Sequence, residues 1–359
     1  MKEFLIYKSL KIFAINVGVF MVLVIIAEVI FGNWVFGPKF GFLNIPRNAK
    51  YYYNVDGLYD NGGRPIIYRR DHLGLRGNYD DLTKIDILTI GGSTTNQLYI
   101  DERETWQHHL KTTFSASGRN VTIVNAGVDG QSTRGHVAIF DRWLAQIKGL
   151  KVKYVLAYVG VNDIHVEYAE LGDQMQSNEQ LRRIRHFILN NSSLYNLFRT
   201  IRGYYRAKSA KLIHGAKPRK IVKWIEVQPF NTRVAYPFEY AQRLKDYKYR
   251  LQKLIKRIRR FGSTPIIVTQ HASVYRIRDK KVYFPMNASK QEKQWSYQLV
   301  RSFNNMSMHV CKSYKAICID LARDLVFHPD DYYDHVHNTP NGTYKIAQYL
   351  YIQLKTLFQ

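Results

Sequence analysis

Cysteine is almost absent from this chain of 359 residues, which contains only Cys311 and Cys318. Two cysteines cannot build a disulfide framework or a cysteine-rich zinc site. They could form one local bridge if the domain is exported, and two separate, partly buried thiols are an equally good interpretation. The sequence therefore leaves their redox state open.

Acidic residues are also few, since 28 Asp and Glu stand against 53 Lys and Arg and leave a formal net charge of +25. A surface of this sign attracts nucleic acid, anionic lipid headgroups or acidic polysaccharide, and composition does not choose among them. Hydrophobic residues make up 46% of the chain, the share of a globular protein, which excludes disorder along the whole chain. The length allows one sizeable α/β domain with insertions, or two small domains.

Long apolar runs are rare, and the one exception lies near the N-terminus. Residues 12–31 are interrupted only by Asn16, Gly18 and Glu28. Twenty helical residues span about 30 Å, the thickness of the hydrocarbon core of a bilayer. Lysines precede the run, and no small-x-small cleavage pattern follows it. We therefore predict a single-pass, uncleaved membrane anchor over residues 1–36; a buried core helix is the alternative.

The orientation of this anchor is not decided by its flanking charges. Lys39, Arg47 and Lys50 follow the run, so the positive charges on its two sides are nearly balanced. Long domains cross a membrane despite their charge, which favours a domain on the extracytoplasmic side, periplasmic or extracellular. An anchored basic domain in that place suits anionic lipid or polysaccharide better than nucleic acid.

The remainder of the chain changes character after Lys84. Residues 37–84 are rich in Gly, Pro, Asn and Tyr, and we predict an extended segment that leads from the membrane to a domain over residues 85–359. Short apolar runs in that domain predict buried strands at 85–90, 121–124, 154–159, 266–269 and 316–319. Helical patterns between them begin near Thr105, Gly135, Tyr240 and Gln291. Strands that alternate with helices indicate a parallel sheet covered on both faces.

Two helical patterns are especially clear. After Pro237, apolar residues recur every three or four positions, with Lys and Arg on the other face. The last helix has Thr339 as its expected N-cap and Pro340 at its first position. Between the third and fourth strands lies an insertion, at about residues 165–236, with a basic centre. It is either a solvated basic loop or a cap that guides an anionic substrate or rests on the membrane.

A glycine-rich turn, Gly91-Gly92-Ser93-Thr94-Thr95, follows the first predicted strand. Parallel sheets place ligands at the carboxyl ends of their strands, so a nucleophile would be well sited here. The turn is not a P-loop, because no lysine follows the glycines at the required place. It is not the nucleophile elbow of α/β-hydrolases either, because Thr95 stands where that motif requires glycine.

A second group, Asp334-His335-Val336-His337, precedes the last helix. A serine hydroxyl needs a base, and the base needs a partner that sets its tautomer and stabilises its charged form. Asp334 and His337 are three residues apart, so one loop can deliver both. A zinc site at His335 and His337 is the alternative. It needs further ligands, and no other residues stand at the spacing of metal ligands. No metal or organic cofactor is implied.

Two further strand ends could stabilise an oxyanion. Asn125-Ala126-Gly127 follows the second strand, and Gly160-Val161-Asn162-Asp163 follows the third. Acyl transfer passes through a tetrahedral oxyanion that needs preorganised donors. We predict that the backbone N–H groups of Ser93 and Gly127 and the side-chain amide of Asn162 supply them.

These four segments resemble the sequence blocks of the SGNH/GDSL hydrolase superfamily. The resemblance covers roughly residues 65–359 and includes the stretch from Tyr68 to Gly77, similar to membrane-linked members. It implies a three-layer α/β/α flavodoxin-like sandwich with a central parallel sheet. It also implies Ser93 as nucleophile, His337 as base and Asp334 as its partner. The first block reads Gly-Gly-Ser-Thr instead of Gly-Asp-Ser, which weakens the likeness to GDSL lipases more than that to the superfamily.

The expected reaction is attack of Ser93 on an ester carbonyl, followed by release of an acyl-enzyme. Our leading hypothesis is a membrane-anchored serine esterase that removes small acyl groups, such as acetyl, from a carbohydrate or cell-envelope substrate. An O-acyltransferase for an envelope polysaccharide is the first alternative, and a lipid-ester hydrolase is another. A non-catalytic glycan-binding or scaffold protein is the alternative from a different class.

Overall fold

The computed structural model describes residues 2–35, 45–164, 224–227, 238–273, 275–279, 281–285 and 290–359, together with short stretches between 184 and 202. In this part of the chain, five parallel strands form the central sheet. They are β3 (Ile85–Gly91), β4 (Ile123–Asn125), β5 (Val152–Tyr158), β7 (Thr264–Val268) and β10 (Ile317–Ile319). Their spatial order is β10-β7-β5-β3-β4, the flavodoxin-like order. All five predicted strands are confirmed within two residues.

The helices that the structure describes as elements are α1 (Lys2–Phe31), α2 (Ser93–Asn96), α3 (Trp106–Ala116), α4 (Thr133–Arg142), α5 (Val161–Ile164), α6 (Phe238–Arg260), α7 (Lys290–Ser313), α8 (Leu321–Asp324) and α9 (Pro340–Leu354). Helices α3 and α9 pack on one face of the sheet and α4, α6 and α7 on the other, as the family resemblance implied, whereas most apolar side chains of α1 are exposed. Thr339 caps α9 by accepting a hydrogen bond from the Gly342 N–H, and Pro340 stands at its first turn. Both features follow the sequence prediction for this helix start.

Neighbouring strand residues point to opposite faces and build two separate cores. Leu88, Val155 and Ile267 pack with residues of α4, α6 and α7 in one buried cluster. Their neighbours Ile87, Leu156 and Ile266 pack with residues of α3 and α9 in the other. Continuous apolar strands are what a parallel sheet buried on both faces requires. The result is the three-layer α/β/α sandwich.

The segment before the sheet is more structured than the extended lead-in that its composition predicts. Its described part contains an antiparallel hairpin of β1 (Ala49–Tyr53) and β2 (Ile66–Arg70). Leu73 and Leu75 then join the first core cluster. The extended segment was expected because the region is rich in Gly, Pro, Asn and Tyr. Tyr is also a good strand former, and this accounts for the hairpin.

The predicted insertion lies largely outside the described residues, and its basic centre lies entirely outside them. From this region the structure describes β6 (Trp224–Val227), which pairs with β9 (Lys281–Pro285). β9 also pairs with β8 (Arg276–Arg278), so a small antiparallel sheet stands beside the main one.

The two cysteines form a disulfide. Cys311, near the end of α7, is bonded to Cys318 in β10, and their Cα atoms are 5.9 Å apart. The bridge joins a helix to the edge strand that follows it. This settles the question that the sequence left open.

The N-terminal apolar run forms part of α1. Among the described residues, one helix, Tyr7–Phe31, is long and apolar enough to cross a membrane, with a mean hydropathy of 2.6. A signal sequence shares this length and composition, so the helix alone does not give the topology.

Candidate active site

The site lies where the carboxyl ends of the central strands come together. Gly91, Tyr158, Val268 and Ile319 stand in register across four strands, at or next to the last residue of each. The turns that follow carry the polar groups, and the strand order reverses between β3 and β5. This reversal is the switch point at which open α/β sheets bind ligands.

Ser93 begins the short helix α2, directly after β3. The glycines before it are needed because a Cβ on Gly91 would lie 2.7 Å from the Tyr158 carbonyl oxygen, and one on Gly92 would lie 2.3 Å from the Asn162 amide nitrogen. Only glycine lets the turn pass so close to the next strand end. The Ser93 side chain is half-buried, so its hydroxyl can meet both protein and substrate.

Ser93, His337 and Asp334 form one hydrogen-bonded chain. His337 Nε2 is 2.7 Å from Ser93 Oγ, and His337 Nδ1 is 2.6 Å from Asp334 Oδ2. Sequence reasoning grouped these three residues, and the fold brings their side chains together across 244 positions of chain. The geometry is that of a nucleophile, a base and an orienting carboxylate.

Asp334 is held as an acceptor. Its Oδ1 accepts hydrogen bonds from the N–H groups of Val336 at 2.9 Å and His337 at 2.7 Å. Burial raises the pKa of Asp334, but these bonds and the one from His337 outweigh it, so the pKa lies below its ordinary value. The carboxylate therefore stays charged and can stabilise an imidazolium at His337.

The loop that carries this pair is fastened on two sides. Ser273 donates a hydrogen bond from its hydroxyl to the Asp334 carbonyl at 2.9 Å and from its N–H to the His335 carbonyl at 2.8 Å. Tyr333 stacks on the His337 ring, with centroids 5.5 Å apart and an interplanar angle of 8°. These contacts limit how far the imidazole can rotate.

The predicted oxyanion donors occupy different environments. Asn162 is half-buried, and its amide donates to the Gln131 carbonyl at 2.8 Å while lying against Gly92. Gly127 is buried, and its N–H already donates to Asn125 Oδ1 at 2.8 Å. A Cβ there would lie 2.5 Å from the Asn96 nitrogen. The lack of a side chain at Gly127 thus serves the packing of α2, and its role as a donor stays a prediction.

The sequence analysis did not identify Gly130, three residues after Gly127 in the same turn, as a possible oxyanion donor. Gly130 is half-buried and adopts a left-handed conformation with φ of +70°. It directly precedes Gln131, the acceptor of the Asn162 amide. Within the described residues, no hydrogen-bond partner is seen for its N–H or for that of Ser93. The two glycines cannot be told apart from sequence, because each sits in the same short turn.

Behind the site, the buried carboxylate of Asp163 connects the turns that follow β4 and β5. Asp163 accepts from the Thr133 N–H at 3.0 Å and hydroxyl at 2.6 Å, and from Arg250 at 2.9 Å. Asp163 therefore joins the Asn162 turn to the start of α4. Burial raises its pKa, and the charge of Arg250 opposes that rise. The role of Asp163 is structural, because none of these contacts reaches Ser93.

Two buried arginines from the segment before β3 support α2, the helix that begins at Ser93, and no sequence feature assigned them this role. Arg70 donates to Asn96 Oδ1 at 2.7 Å and to the Gly127 carbonyl. Arg76 donates to the Asn96 carbonyl, and it pairs with Glu102 at 2.9 Å. The segment therefore contributes directly to the architecture of the site.

Gln270, which follows β7, ties two of the turns together. Its side-chain nitrogen donates to the Thr94 hydroxyl at 2.8 Å, and its side-chain oxygen Oε1 accepts from the Val161 N–H at 2.8 Å. It thereby sets the spacing between the Ser93 turn and the Asn162 turn. A lone glutamine after a strand carries no sequence signal for such a role.

The zinc alternative finds no geometric support at His337, since both of its ring nitrogens are engaged by Ser93 and Asp334. His335 is exposed. In the described part of the chain, no group of three or more His, Cys, Asp or Glu side chains is arranged to hold a metal ion.

Comparison with solved structures finds matches at low identity. The structure titled "Crystal Structure of TesA" is 14% identical, with a TM-score of 0.43, and the match covers 76% of this chain and 99% of that one. The esterase EstA from Pseudoalteromonas sp. is 14% identical, with a TM-score of 0.43 and coverage of 76% and 97%. A catalytic mutant of an acetylxylan esterase from Geobacillus stearothermophilus is 11% identical, with a TM-score of 0.41 and coverage of 76% and 96%. None of the curated proteins matches this chain.

The decisive comparison is with a family model. The model of the GDSL-like lipase/acylhydrolase family matches residues 89–344. That range begins in β3 and ends in α9, so it includes the Ser93 turn, the turns that follow β4 and β5, and the Asp334–His337 loop. The chain thus belongs to the GDSL-like lipase/acylhydrolase family of SGNH hydrolases and is a carboxylic ester hydrolase.

Proposed function

We propose that this protein is a membrane-anchored serine esterase that hydrolyses small acyl esters, such as acetyl, on a carbohydrate of the cell envelope. The observation that carries the catalytic part is the hydrogen-bonded chain from Ser93 Oγ through His337 to Asp334. In this proposal Ser93 is the nucleophile, His337 the general base and Asp334 its orienting partner. An intact set of this kind also speaks against a scaffold that keeps only the fold.

The steps follow from the positions of these groups. Ser93 Oγ attacks the ester carbonyl and its proton passes to His337 Nε2. The oxyanion of the tetrahedral intermediate is stabilised by the Ser93 N–H and the Asn162 amide, with a third donor from Gly127 or Gly130. His337 then protonates the leaving alcohol, and water deacylates Ser93 by the reverse sequence. Of the two glycines, the unoccupied N–H of Gly130 favours that position.

Tyrosines beside the nucleophile support a carbohydrate substrate. Tyr53 and Tyr99 are half-buried and meet edge to face, with centroids 5.1 Å apart. Both pack on the cluster that contains Tyr333, which stacks on His337. Partly exposed aromatic rings give sugar rings an apolar face to lie on.

The anchor and the extracytoplasmic location rest on two features. The helix Tyr7–Phe31 is long and apolar enough to span a bilayer. The Cys311–Cys318 disulfide suits an oxidising compartment, outside the cytoplasm. A cysteine placed at exposed Tyr344 and labelled on intact cells with a membrane-impermeant maleimide tests this topology. Labelling only after cell lysis would place the domain in the cytoplasm.

The catalytic assignment is tested with the full chain in detergent, by hydrolysis of p-nitrophenyl acetate and by labelling with a fluorophosphonate. We expect Ser93→Ala to abolish both. Ser263→Ala is the matched control, because Ser263 is buried before β7, where its hydroxyl bonds the Val152 carbonyl at 2.7 Å. Equal turnover by Ser93→Ala and the unmodified chain would reject Ser93 as the nucleophile.

The carbohydrate assignment is tested separately, with an O-acetylated oligosaccharide. We expect Tyr99→Ala to raise KM for the oligosaccharide while leaving kcat/KM for p-nitrophenyl acetate nearly unchanged. Tyr344→Ala is the control, since Tyr344 is an exposed tyrosine on α9. A Tyr99 variant that treats both substrates as the unmodified chain does would remove the support for a sugar surface.

A further inference from the structure

The end of α1 is joined by partly buried hydrogen bonds to a second segment, by which we mean the described residues between 184 and 202. Glu28, three residues before the end of α1, accepts from the Ser192 hydroxyl at 2.6 Å and from the N–H groups of Ser193 and Leu194 at 3.1 Å each. The carboxylate thus caps the start of the helical turn at residues 193–195. A negative charge is favourable at this end of a helix.

Other contacts continue the same junction. The Asn33 N–H donates to the Asn191 carbonyl at 2.8 Å. Trp34 donates from its indole to Glu28 at 2.7 Å and meets the Phe187 ring edge to face, with centroids 5.6 Å apart. The position of this segment relative to α1 is therefore set by both polar and apolar contacts.

The segment carries a row of large apolar side chains, each at least a third exposed in the described chain. Most of its described residues are helical. Exposed fractions lie between 36% and 57% for Ile184, Phe187, Leu194, Leu197, Phe198 and Ile201. The last four recur at intervals of three, four and seven, the spacing of one helix face. An apolar face of this size on a protein surface marks a contact site.

The sequence of the segment selects the kind of partner. Between residues 182 and 202 there are five arginines and no acidic residue. A helix with an apolar face and flanking arginines has the composition of helices that lie in the headgroup region of a membrane. A protein partner would need an acidic surface of its own, whereas anionic phospholipid supplies both the charge and the apolar depth.

The position of the segment selects the same partner. If α1 crosses the bilayer, its end at Phe31 lies at the membrane surface, because Tyr7–Phe31 is slightly longer than the hydrocarbon core. The segment is bonded directly to that end, so it lies at the same level. We propose that this second segment forms a further membrane contact, which lies in the headgroup layer of the bilayer that α1 crosses and binds anionic phospholipid.

This second contact would restrict the catalytic domain. A single spanning helix leaves a domain free to rotate and tilt, whereas a further contact from the insertion of the domain limits these movements. The active site would then meet substrates held at a set distance from the membrane. The inference concerns the placement of the enzyme and does not depend on the identity of its ester substrate.

The test uses the full chain in vesicles of phosphatidylcholine and phosphatidylglycerol, with a nitroxide attached at Phe198→Cys. Depth is measured from collisions with oxygen and with a water-soluble nickel chelate. We expect the label to lie about 5–10 Å below the phosphate level. The matched control is Ile352→Cys on α9, since Ile352 is 58% exposed and Phe198 57%. The control label should remain in water.

Three results would overturn the proposal. The label at Phe198 could be as open to the nickel chelate as the label at Ile352. It could be shielded from both oxygen and nickel, which would indicate a protein contact, such as a second copy of this chain. A label at Phe20→Cys could fail to report the bilayer interior, so that α1 itself does not span. Hydrolysis of p-nitrophenyl acetate by the same samples tests the enzyme independently.

The junction is tested with Glu28→Gln, which keeps the size of the side chain and removes its charge. We expect the Phe198 label to become shallower and its spectrum more mobile, because the cap no longer holds the segment to α1. An unchanged depth and spectrum would show that Glu28 does not position the segment. Hydrolysis in detergent should be the same for both chains.

Discussion

Replacing Asp334 by asparagine should inactivate the enzyme without unfolding it, for a reason visible in the hydrogen bonds. Asp334 Oδ1 accepts from two backbone N–H groups, and Oδ2 faces His337 Nδ1 at 2.6 Å. In Asp334→Asn the amide oxygen must take the Oδ1 place, because the backbone groups are donors. The amide NH₂ then faces Nδ1 and forces that nitrogen to be an acceptor. The proton moves to Nε2, which can no longer take a proton from Ser93.

The expected size of the effect is a loss of about 10⁴ in kcat, equivalent to about 5 kcal/mol of transition-state stabilisation. The assay is hydrolysis of p-nitrophenyl acetate by the full chain in detergent, together with the melting temperature of each variant. KM should change little, because Asp334 does not reach the substrate. The midpoint of unfolding should shift by only a few degrees, because both backbone bonds are kept.

Asp331→Asn is the matched control from the same loop. Asp331 is also buried, but it pairs with Lys345 at 2.7 Å and accepts from the His328 N–H at 2.6 Å. It should lose about 1–3 kcal/mol of stability with kcat nearly unchanged. If Asp334→Asn retains more than about a tenth of the activity while folded, the tautomer argument is refuted.

Three further effects on stability are expected. Cys318→Ala should lower the free energy of unfolding by about 2.5 kcal/mol, since it opens the short loop closed by Cys311 and Cys318; a reducing agent should produce the same shift in the unmodified chain and none in the variant. Arg70→Met should cost on the order of 3 kcal/mol by leaving buried acceptors without donors; a denaturation midpoint equal to that of the unmodified chain would contradict this. Burial lowers the pKa of both His136 and His271 to about 3. Below pH 6.5, these two histidines therefore bind protons in the unfolded chain but stay neutral in the folded chain. Stability should therefore fall with pH between 6.5 and 3, by about 3 kcal/mol for the pair at pH 5.5; His136→Gln should flatten the dependence of the melting temperature on pH, and an unchanged slope would show that His136 is not excluded from protonation.

Local patterns in the sequence determined the sheet and the residues of its polar edge. Apolar runs such as 85–90 and 266–269 predicted strands because a buried parallel strand must be apolar on both faces. Thr339 and Pro340 predicted the start of α9 because capping depends on neighbouring residues alone. The motifs at Ser93 and at Asp334–His337 could be grouped by chemistry before any distance was known.

Tertiary structure alone decided what depends on contacts between distant segments. The segment before β3 was predicted to be extended, yet it supplies Arg70 and Arg76 as buried supports of α2. Nothing in the local sequence shows that a charged side chain finds its acceptors across the fold. Gly127 and Gly130 share one turn, and only their packing separates a glycine required for close approach from one with an unoccupied N–H. The disulfide and the junction at Glu28 likewise require knowing which groups meet in space.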